Sequence, residues 1–505
     1  AYRNRFRPNG DKSAAMVFGG DRALKDKVER EVWQLSGERV QVKNSYKYLG
    51  VDIRTNSADW RPHVERLMSK ARTRSSELAW LCRRDRGLRP RAAVAMWNAM
   101  VRPSLEYAGE LWGGEISDAL TREVEKVQTD FGRIILGIKG EMWVPAEFVR
   151  AELGMETLEA RRQKLRLGFW RRLQTAQPQR ALSRVANLHR EEVRAGRGRW
   201  SWMWGTRDLL VEVGLGWFWR NPNESAYLDK EIWRRTAGYR VDRRADVHRE
   251  TRMATMRTMG NYSLIKHWDE WPAWKATKRS EVGRLGALVS EPYLDETGDR
   301  LGRTLMTKCR ARSLPVMARV RDEMNLPAAK GICPMCSSGQ EETVEHLLAT
   351  CTAYARERMR METRVQAMLG MQVTTNNAMS TQGQVNLLLG GPGAWRRGAV
   401  AARMASKATQ RFLKQAWRRR RQVTRRINEE LDRHDLVDAG DAPTEKCRQT
   451  EARDFVRQAE REGGVHTAKR RQGLRASIAR VEQGRLGARR MLAYDMLRHG
   501  QSHRS

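Results

Sequence analysis

Three cysteines and one histidine follow each other closely in the sequence. Cys333 and Cys336 form a C-x₂-C pair, nine residues separate Cys336 from His346, and four more separate His346 from Cys351. A C-x₂-C turn brings two thiolates to one ion, and a histidine and a cysteine about one helical turn apart supply two further ligands. Because four protein ligands leave no open position, the spacing predicts a structural Zn²⁺ site rather than a catalytic one. The alternative is three unrelated cysteines beside a packed histidine.

The charge of the chain restricts its partners. The 505 residues carry 96 Lys and Arg against 60 Asp and Glu, a formal net charge of +36. This excess is larger than solubility requires and favours a polyanionic partner, most simply nucleic acid. No run of about 18 apolar residues occurs, so we expect no membrane span. An anionic membrane surface is the weaker alternative, because the sequence has no lipidation motif.

Helical periodicity dominates the sequence and predicts a mainly α, multidomain protein. The pattern changes along the chain and divides it into segments of different character. The expected segments are a β-hairpin region (1–55), a helical bundle (56–140), a helical and Trp-rich connecting region (141–290), a zinc-binding region (291–368), a linker (369–398) and a basic helical or partly disordered tail (399–505).

Local patterns place some element boundaries within these segments. Val40–Val42 and Tyr46–Ile53 alternate like two strands of a hairpin, with Gly50 as an expected bulge or close backbone approach. In the bundle, Ser117 is the candidate N-cap of the third helix and Gly137 its C-terminal stop.

A run of cations in the tail forms a second group of candidate functional residues. The guanidinium group of arginine suits phosphate through its planar fork of donors. The run therefore indicates a nucleic-acid-binding face or a nuclear localisation signal, and the alternative is a solvated helix face. Its members are Lys414, Arg418, Arg419, Arg420, Arg421, Arg425 and Arg426.

Tryptophan is frequent, with 18 residues in the chain, and several cluster beside arginines. Trp200, Trp202 and Trp204 alternate in this way. Aromatic rings beside arginine can stack unpaired bases. Alternating tryptophans more often pack a sheet or an irregular core, and we favour that interpretation.

No catalytic constellation is found in the sequence. A two-metal polymerase needs two carboxylates held close together, and the chain contains no Asp-Asp pair. The P-loop, H-E-x-x-H and G-x-S-x-G patterns are also absent. His63 has no partners at metal-ligand spacing and is expected to pack or to cap a helix. We therefore assign no catalytic residue in this chain.

Four stretches match the motifs of one protein family, in the same order along the chain. They are Asn9–Phe18, a strand motif of the form Asn-x-x-Lys-Ser; Tyr46–Val51, a Tyr-Leu-Gly hairpin; Asp59–His63, at the start of the helices; and Cys333–Cys351, the Cys-Cys-His-Cys set. This order resembles the C-terminal half of a non-LTR (LINE-type) retrotransposon reverse transcriptase. The resemblance covers about residues 9–170 and 295–360.

The resemblance implies a function and a set of partners. The N-terminal region would be the end of a polymerase palm, and the bundle would be its thumb. Tyr48, Leu49 and Gly50 would position the primer end. The parent enzyme would copy an RNA template onto a DNA primer with two Mg²⁺ ions, in the nucleus after cytoplasmic passage. The resemblance leaves the oligomeric state open.

The resemblance also implies that the catalytic aspartates lie upstream of Ala1, so this chain alone is expected not to polymerise. Two alternatives remain. One is a non-enzymatic, zinc-containing RNA- or DNA-binding protein, either domesticated from such an element or unrelated to it. The other is a basic structural adaptor whose zinc site docks a protein.

Overall fold

A computed structural model shows the chain as two compact units, residues 1–307 and 308–505. The part of the chain that the structure describes is residues 9, 12–19, 21–35, 37–55, 59–83, 88–141, 144–197, 199, 201–222, 229–258, 290–294, 300–324, 331–336, 338–373, 379–395 and 397–438.

The protein is mainly α-helical, as the periodicity predicts. Among the described residues, no helix is both long enough and apolar enough to cross a bilayer. The helices of the first unit are α1 (Arg22–Arg30), α2 (Arg61–Arg83), α3 (Pro90–Met96), α4 (Arg102–Leu105), α5 (Gly109–Trp112), α6 (Asp118–Leu136), α7 (Ala146–Leu153), α8 (Leu158–Gln174), α9 (Ala181–Arg194), α10 (Trp202–Glu212), α11 (Gly216–Arg220), α12 (Lys230–Thr258) and α13 (Arg300–Arg310). The boundary between the two units falls within α13. Those of the second unit are α14 (Met317–Met324), α15 (Ala355–Leu369), α16 (Thr381–Leu388), α17 (Pro392–Trp395) and α18 (Ala399–Asp438).

Five short strands lie within the first 54 residues, with α1 between β1 and β2. Strand β3 lies between β1, its parallel neighbour, and β2, its antiparallel neighbour, while β4 and β5 form a separate antiparallel hairpin. The strands are β1 (Ala14–Ala15), β2 (Trp33–Leu35), β3 (Glu38–Val42), β4 (Ser45–Tyr48) and β5 (Val51–Arg54).

The hairpin differs from the predicted one. We predicted that Val40–Val42 pairs with Tyr46–Ile53, but the second run folds back on itself and pairs Tyr48 with Val51. Leu49 has φ 46° and Gly50 has φ 82°. Positive φ at both central residues is what a two-residue type I′ turn requires. The predicted bulge at Gly50 is therefore a turn, and the dipeptide Leu49-Gly50 forms its tip.

The strand region has little core of its own. No described residue between 9 and 55 is fully buried, and Phe18, Val32 and Trp33 are exposed. A small sheet needs further strands or a packed helix to be stable. The described strands therefore leave apolar side chains exposed instead of enclosing a core among themselves.

The helices from α2 to α6 enclose the first hydrophobic core. Trp97 stacks on Phe131 with ring centroids 4.9 Å apart, and Val64 and Met68 are almost fully buried. Trp97 lies in a π-helical turn, Trp97–Val101, between α3 and α4. The segment predicted as a bundle is thus packed as helices around one apolar centre.

Both predicted caps of α6 are present. The Ser117 side chain accepts a hydrogen bond from the Leu120 N–H, and Gly137 ends the helix in the left-handed region at φ 76°. These residues satisfy backbone groups that a helix end would otherwise leave without partners.

A second core, rich in tryptophan, lies among helices α8 to α12. The rings of Trp170 and Trp233 are 5.6 Å apart, and the Trp233 indole donates to the Leu167 carbonyl. Trp202 and Trp204 lie on α10, so their alternation does not mark a strand. The expectation that tryptophans pack a core is confirmed for this cluster, whereas Trp200 lies outside the described residues.

The segment predicted as a linker, 369–398, is largely helical in its described part. Its described residues form α16 and α17, and Val385, Leu387 and Leu388 are buried in the second unit. The segment is polar and rich in glycine, so its three closely spaced apolar side chains did not indicate a buried helix. The burial of these side chains outweighs the weak helix propensity of the segment.

The C-cap of α6 provides a test of the fold. A Cβ at Gly137 would lie 2.9 Å from Thr304 Cγ2 and closer still to Thr304 Oγ1. Because left-handed backbone costs alanine about 1–2 kcal/mol and overpacking adds about 1–3 kcal/mol, we expect Gly137→Ala to lower the free energy of unfolding by roughly 2–5 kcal/mol. Denaturant titration measures this change.

Gly196 is the matched control, because it also has positive φ but no atom within 4 Å of the added Cβ. Gly196→Ala should lower the free energy of unfolding only by the cost of the left-handed backbone, about 1–2 kcal/mol. Equal losses for the two variants would contradict the packing of Gly137 against Thr304.

Candidate metal centre

The structure brings the four predicted metal ligands together. The ligand atoms of Cys333, Cys336, His346 and Cys351 all lie within 4.8 Å of one another. Cys333, His346 and Cys351 are buried, and Cys336 is partly exposed. This Cys₃His cluster could hold a metal ion.

Short local structures position the ligands. Ile332 and Glu341 form an isolated antiparallel bridge, and the Cys333 N–H donates to the Gln340 carbonyl at 2.9 Å. These contacts close the loop that carries the C-x₂-C pair. His346 begins a π-helical turn, and the Cys351 N–H donates to the His346 carbonyl at 2.8 Å. The wider turn therefore holds the last cysteine beside the histidine.

Two separations within the cluster fit a tetrahedral site. Cys333 Sγ and Cys351 Sγ are 3.9 Å apart, and Cys336 Sγ lies 3.4 Å from His346 Nε2. A tetrahedron with the usual zinc bond lengths places two sulfurs about 3.8 Å apart and a sulfur and a nitrogen about 3.5 Å apart. The sulfurs are also too far apart for a disulfide, whose S–S bond is about 2 Å.

The surroundings of His346 orient its ring for metal binding. Nδ1 lies 3.0 Å from Gln340 Oε1 and 3.0 Å from Thr350 Oγ1, while Nε2 faces the sulfurs. The Gln340 oxygen can only accept, so the proton is best placed on Nδ1. The lone pair of Nε2 then points at the cysteines. Such a partner on the second nitrogen is typical of metal-binding histidines.

Proton sharing among the thiols reflects their proximity. The contact with Cys351, together with burial, raises the pKa of Cys333 to about 12, whereas the same contact lowers the pKa of Cys351. The sulfurs of Cys333 and Cys336 raise the pKa of His346 despite its burial. A divalent cation bound among these ligands would supply positive charge in place of the shared protons. Its binding would therefore release those protons.

An ion pair joins the metal cluster to α18. The Arg420 Nε and Nη2 atoms donate to the two carboxylate oxygens of Glu342 at 2.6 and 2.7 Å. Both side chains are buried, with 8% of Arg420 and 1% of Glu342 exposed. Glu342 also accepts from the Met317 N–H at 2.7 Å, at the start of α14. One carboxylate therefore ties the metal loop, α14 and α18 together.

The neighbouring arginine of α18 makes a second, more exposed contact with the same region. Arg419 donates to the Ala353 carbonyl at 2.8 Å and lies 3.4 Å from Glu357. On the metal side, Arg358 donates to the Cys351 carbonyl at 2.7 Å. We call the Glu342–Arg420 and Glu357–Arg419 pairs the clamp of α18.

The clamp corrects part of the assignment made for the basic run. Arg420 was assigned to a polyanion-binding face, but it points into the second unit and is neutralised by Glu342. Lys414, Arg418 and Arg421 lie on the outer part of the helix, where Arg418 and Arg421 are exposed. The side chains of Arg425 and Arg426 lie outside the described residues.

The sequence carries no local indication of the Glu342–Arg420 pair, because its members are 78 residues apart. The contact of His346 with Thr350 is different. A threonine four residues after a helical histidine lies on the same face, so this partner can be found from spacing alone.

The Tyr-Leu-Gly turn lies in the first unit, with its tip in solvent. Leu49 is 74% exposed and Tyr48 is 58% exposed. The tip is nevertheless fixed, because Tyr107 Oη donates to the Leu49 carbonyl and Arg66 Nη2 donates to the Gly50 carbonyl, each at 2.6 Å. Both anchors belong to the helical bundle region, so hydrogen bonds hold the turn against the bundle.

His63 lies beneath this turn and has a structural role. Its ring packs edge-on against Trp60 and Trp112, and its Nδ1 accepts from the Asp52 N–H at 3.3 Å. Burial, reinforced by Arg66, lowers the pKa of His63. The prediction that His63 packs is confirmed by these contacts.

The surroundings of Trp204 leave little room for a base. The Arg207 and Arg199 guanidinium groups lie 4.9 and 6.0 Å from the centre of its ring. Trp202 packs against Arg166 and donates its indole N–H to the Glu110 carbonyl. These rings already have partners within the first unit, which favours packing over base stacking.

Comparison with known proteins identifies no relative: no family model matches the chain, and no curated protein or solved structure is significantly similar to it.

Metal binding by the cluster can be tested with Co²⁺, whose visible absorption reports tetrahedral thiolate ligation. Cys351→Ser should abolish or strongly weaken the absorption, because it removes a buried sulfur ligand. Cys309→Ser is the matched control, since Cys309 is equally buried in the second unit but lies outside the cluster. Equal titration curves for the two variants and the parent chain would contradict the metal site.

The buried ion pair should show the asymmetry of a coupled charge pair. Glu342→Gln leaves the Arg420 charge buried without its carboxylate, so we expect a loss of about 3–5 kcal/mol of stability. The double variant Glu342→Gln with Arg420→Gln should recover part of that loss. Thermal and denaturant unfolding of the four members of the cycle measure the coupling.

Glu357→Gln is the control for this cycle, because its partner Arg419 is half exposed. Exposed pairs contribute about 0–1 kcal/mol. If Glu342→Gln also lowered the free energy of unfolding by only this amount, Arg420 would not be buried against the Glu342 carboxylate.

Proposed function

We propose that this chain is a nucleic-acid-binding, C-terminal part of a retroelement RNA-directed DNA polymerase. It comprises the end of the palm, a primer-grip turn, a helical thumb and a module that holds structural Zn²⁺. The observation that carries the proposal is the anchored turn: an exposed Tyr48-Leu49 tip is fixed by Arg66 and Tyr107 to the helical bundle that follows it.

The anchored turn suits a grip on nucleic acid. A tip held by two hydrogen bonds to the bundle keeps its orientation, so little ordering entropy is lost when a ligand binds. Tyr48 and Leu49 offer an aromatic ring and an aliphatic side chain to a base or a sugar. The adjoining bundle would hold the duplex backbone through its lysines and arginines, which position a duplex without determining its sequence.

Zinc is the metal that the ligand set favours. Three thiolates and an imidazole are soft and borderline ligands, which select Zn²⁺ over Mg²⁺ or Ca²⁺. Cys333, Cys336, His346 and Cys351 would fill all four positions and leave none for a substrate. The ion would therefore stabilise the second unit and take no direct part in a reaction.

The chemistry of the parent enzyme would lie elsewhere in the polymerase. The two Mg²⁺ ions and the catalytic aspartates would belong to the complete palm, and this part would bind the RNA template and the DNA primer. The exposed apolar residues of the strand region, such as Trp33 and Val32, support a sheet that continues into further strands. Action on chromosomal DNA would place the protein in the nucleus.

A second candidate is a non-enzymatic, zinc-containing protein that binds RNA or DNA. The charge of +36 and the metal cluster fit this protein equally well. The coding sequence immediately upstream of Ala1 separates the two. An in-frame palm with an Asp-Asp turn supports the polymerase, whereas a promoter and an initiating Met at this point support the stand-alone binder.

The primer-grip role predicts a specific loss on substitution. Tyr48→Ala combined with Leu49→Ala should weaken binding to an RNA–DNA duplex with a recessed DNA 3′ end by about 1 kcal/mol or more. Fluorescence anisotropy at several salt concentrations measures the affinity. The parent chain should bind more weakly as salt rises, because phosphate contacts release counterions.

Leu188→Ala on α9 is the control, since Leu188 is similarly exposed at 66%. The Leu188→Ala variant should bind the duplex with the same affinity as the parent chain. Binding that does not depend on salt would contradict nucleic-acid recognition as a whole, and equal affinities for the turn variant and the control would contradict the grip.

A further inference from the structure

The outer face of α18 carries an unusual arrangement of charge. Between residues 399 and 423 the helix contains eight lysines and arginines and no aspartate or glutamate. The clamp directs two of these cations, Arg419 and Arg420, towards the carboxylates of Glu357 and Glu342.

The six other cations share one face of the helix. Their separations of four, four, three, four and three residues place them within a sector about 80° wide on a helix of 3.6 residues per turn. They follow the helix for about 27 Å, at 1.5 Å per residue. Arg411, Arg418 and Arg421 are exposed, and the others are half buried. We call this face the outer stripe; its members are Arg403, Lys407, Arg411, Lys414, Arg418 and Arg421.

The aromatic residues of α18 lie away from the outer stripe. Phe412 and Trp417 are buried, and the Phe412 ring packs against Tyr354. Proteins that bind single strands combine cations with exposed aromatic rings on which bases stack. The stripe has cations without such rings, so it suits the phosphate backbone of a duplex, which is recognised through charge and position.

We infer that the outer stripe binds the backbone of double-stranded nucleic acid, and that the clamp fixes the orientation of this stripe on the metal-binding module. The inference rests on the proposed function as a nucleic-acid-binding protein and names a surface for it outside the turn and the bundle. The length of the stripe corresponds to roughly eight base pairs of B-form duplex.

The clamp explains how a helix with so many cations is held in place. Arg420 makes two hydrogen bonds to one buried carboxylate and lies 4.8 Å from the Trp417 ring centre. Arg420 is buried and Arg419 is half exposed beside Glu357, while Arg418 and Arg421 on either side are exposed. The consecutive arginines thus divide between a fixed side and a binding side.

The test replaces three members of the outer stripe in the full chain, Arg411→Gln, Lys414→Gln and Arg418→Gln. Binding to a blunt 20-base-pair duplex is measured against salt. Loss of three phosphate contacts should make the slope of log K against log salt shallower by about 2.7 and should weaken binding on the order of a hundredfold near 0.15 M salt. Thermal unfolding should change little, because the three positions lie on the outer part of the helix.

The control removes three charges from the neighbouring helix α15, as Arg356→Gln, Arg360→Gln and Arg364→Gln, all at exposed positions. An equal loss of duplex affinity in the control variant would show that binding depends on net charge alone, and it would contradict duplex binding by the outer stripe. Parent-like duplex binding by the stripe variant would also overturn it, while leaving the proposed function intact. No duplex binding by the parent chain at low salt would reject the proposed function itself.

Two further probes decide the class of partner. Affinity is also measured for each strand of the duplex alone. The difference in affinity between the stripe variant and the parent chain should be smaller for the single strands than for the duplex. Vesicles of mixed neutral and anionic phospholipid should not distinguish the two proteins. A difference seen only with vesicles would overturn the duplex assignment in favour of a membrane surface.

Discussion

Burial of arginine is the constraint that shapes both units. A chain with 96 Lys and Arg cannot keep every guanidinium in solvent while its helices pack together. Arg166 is buried between the Thr206 hydroxyl, the Glu115 carboxylate and the Trp202 ring, and Arg420 is buried against Glu342. Each of these two groups holds distant segments in one geometry, because a buried charge is costly unless it has partners.

Arg162 shows how far this constraint reaches. Its side chain is 1% exposed and lies 5.2 Å from the Trp112 ring centre, and its three guanidinium nitrogens have no hydrogen-bond partner among the described residues. Burial therefore lowers the pKa of Arg162, while the nearby carboxylates of Glu125 and Glu159 oppose that effect. The aromatic face and the field of the acids replace direct hydrogen bonds.

The features that could be predicted from the sequence are those with local causes. Ser117 and Gly137 were identifiable as caps because the chemistry of a helix end is decided within a few residues. The metal cluster was identifiable because its ligands are closely spaced. The burial of Arg420 was not, since its partner is distant in sequence. The turn at Leu49-Gly50 was also missed, because leucine is rarely found at positive φ and gives no local indication of a turn.

Both units bury apolar residues, and the second unit also buries part of the metal cluster. The first unit has two large apolar cores, around Trp97 and around Trp170. In the second unit, two of the buried side chains are the thiols of Cys333 and Cys351, and buried polar groups stabilise a fold only when they have partners. Metal binding to such a loop contributes directly to folding free energy. Because Glu342 lies in the same loop, the support of α18 through Arg420 depends on that loop being folded. Loss of the fold of this loop should therefore alter the geometry of α18, while the first unit keeps its own cores.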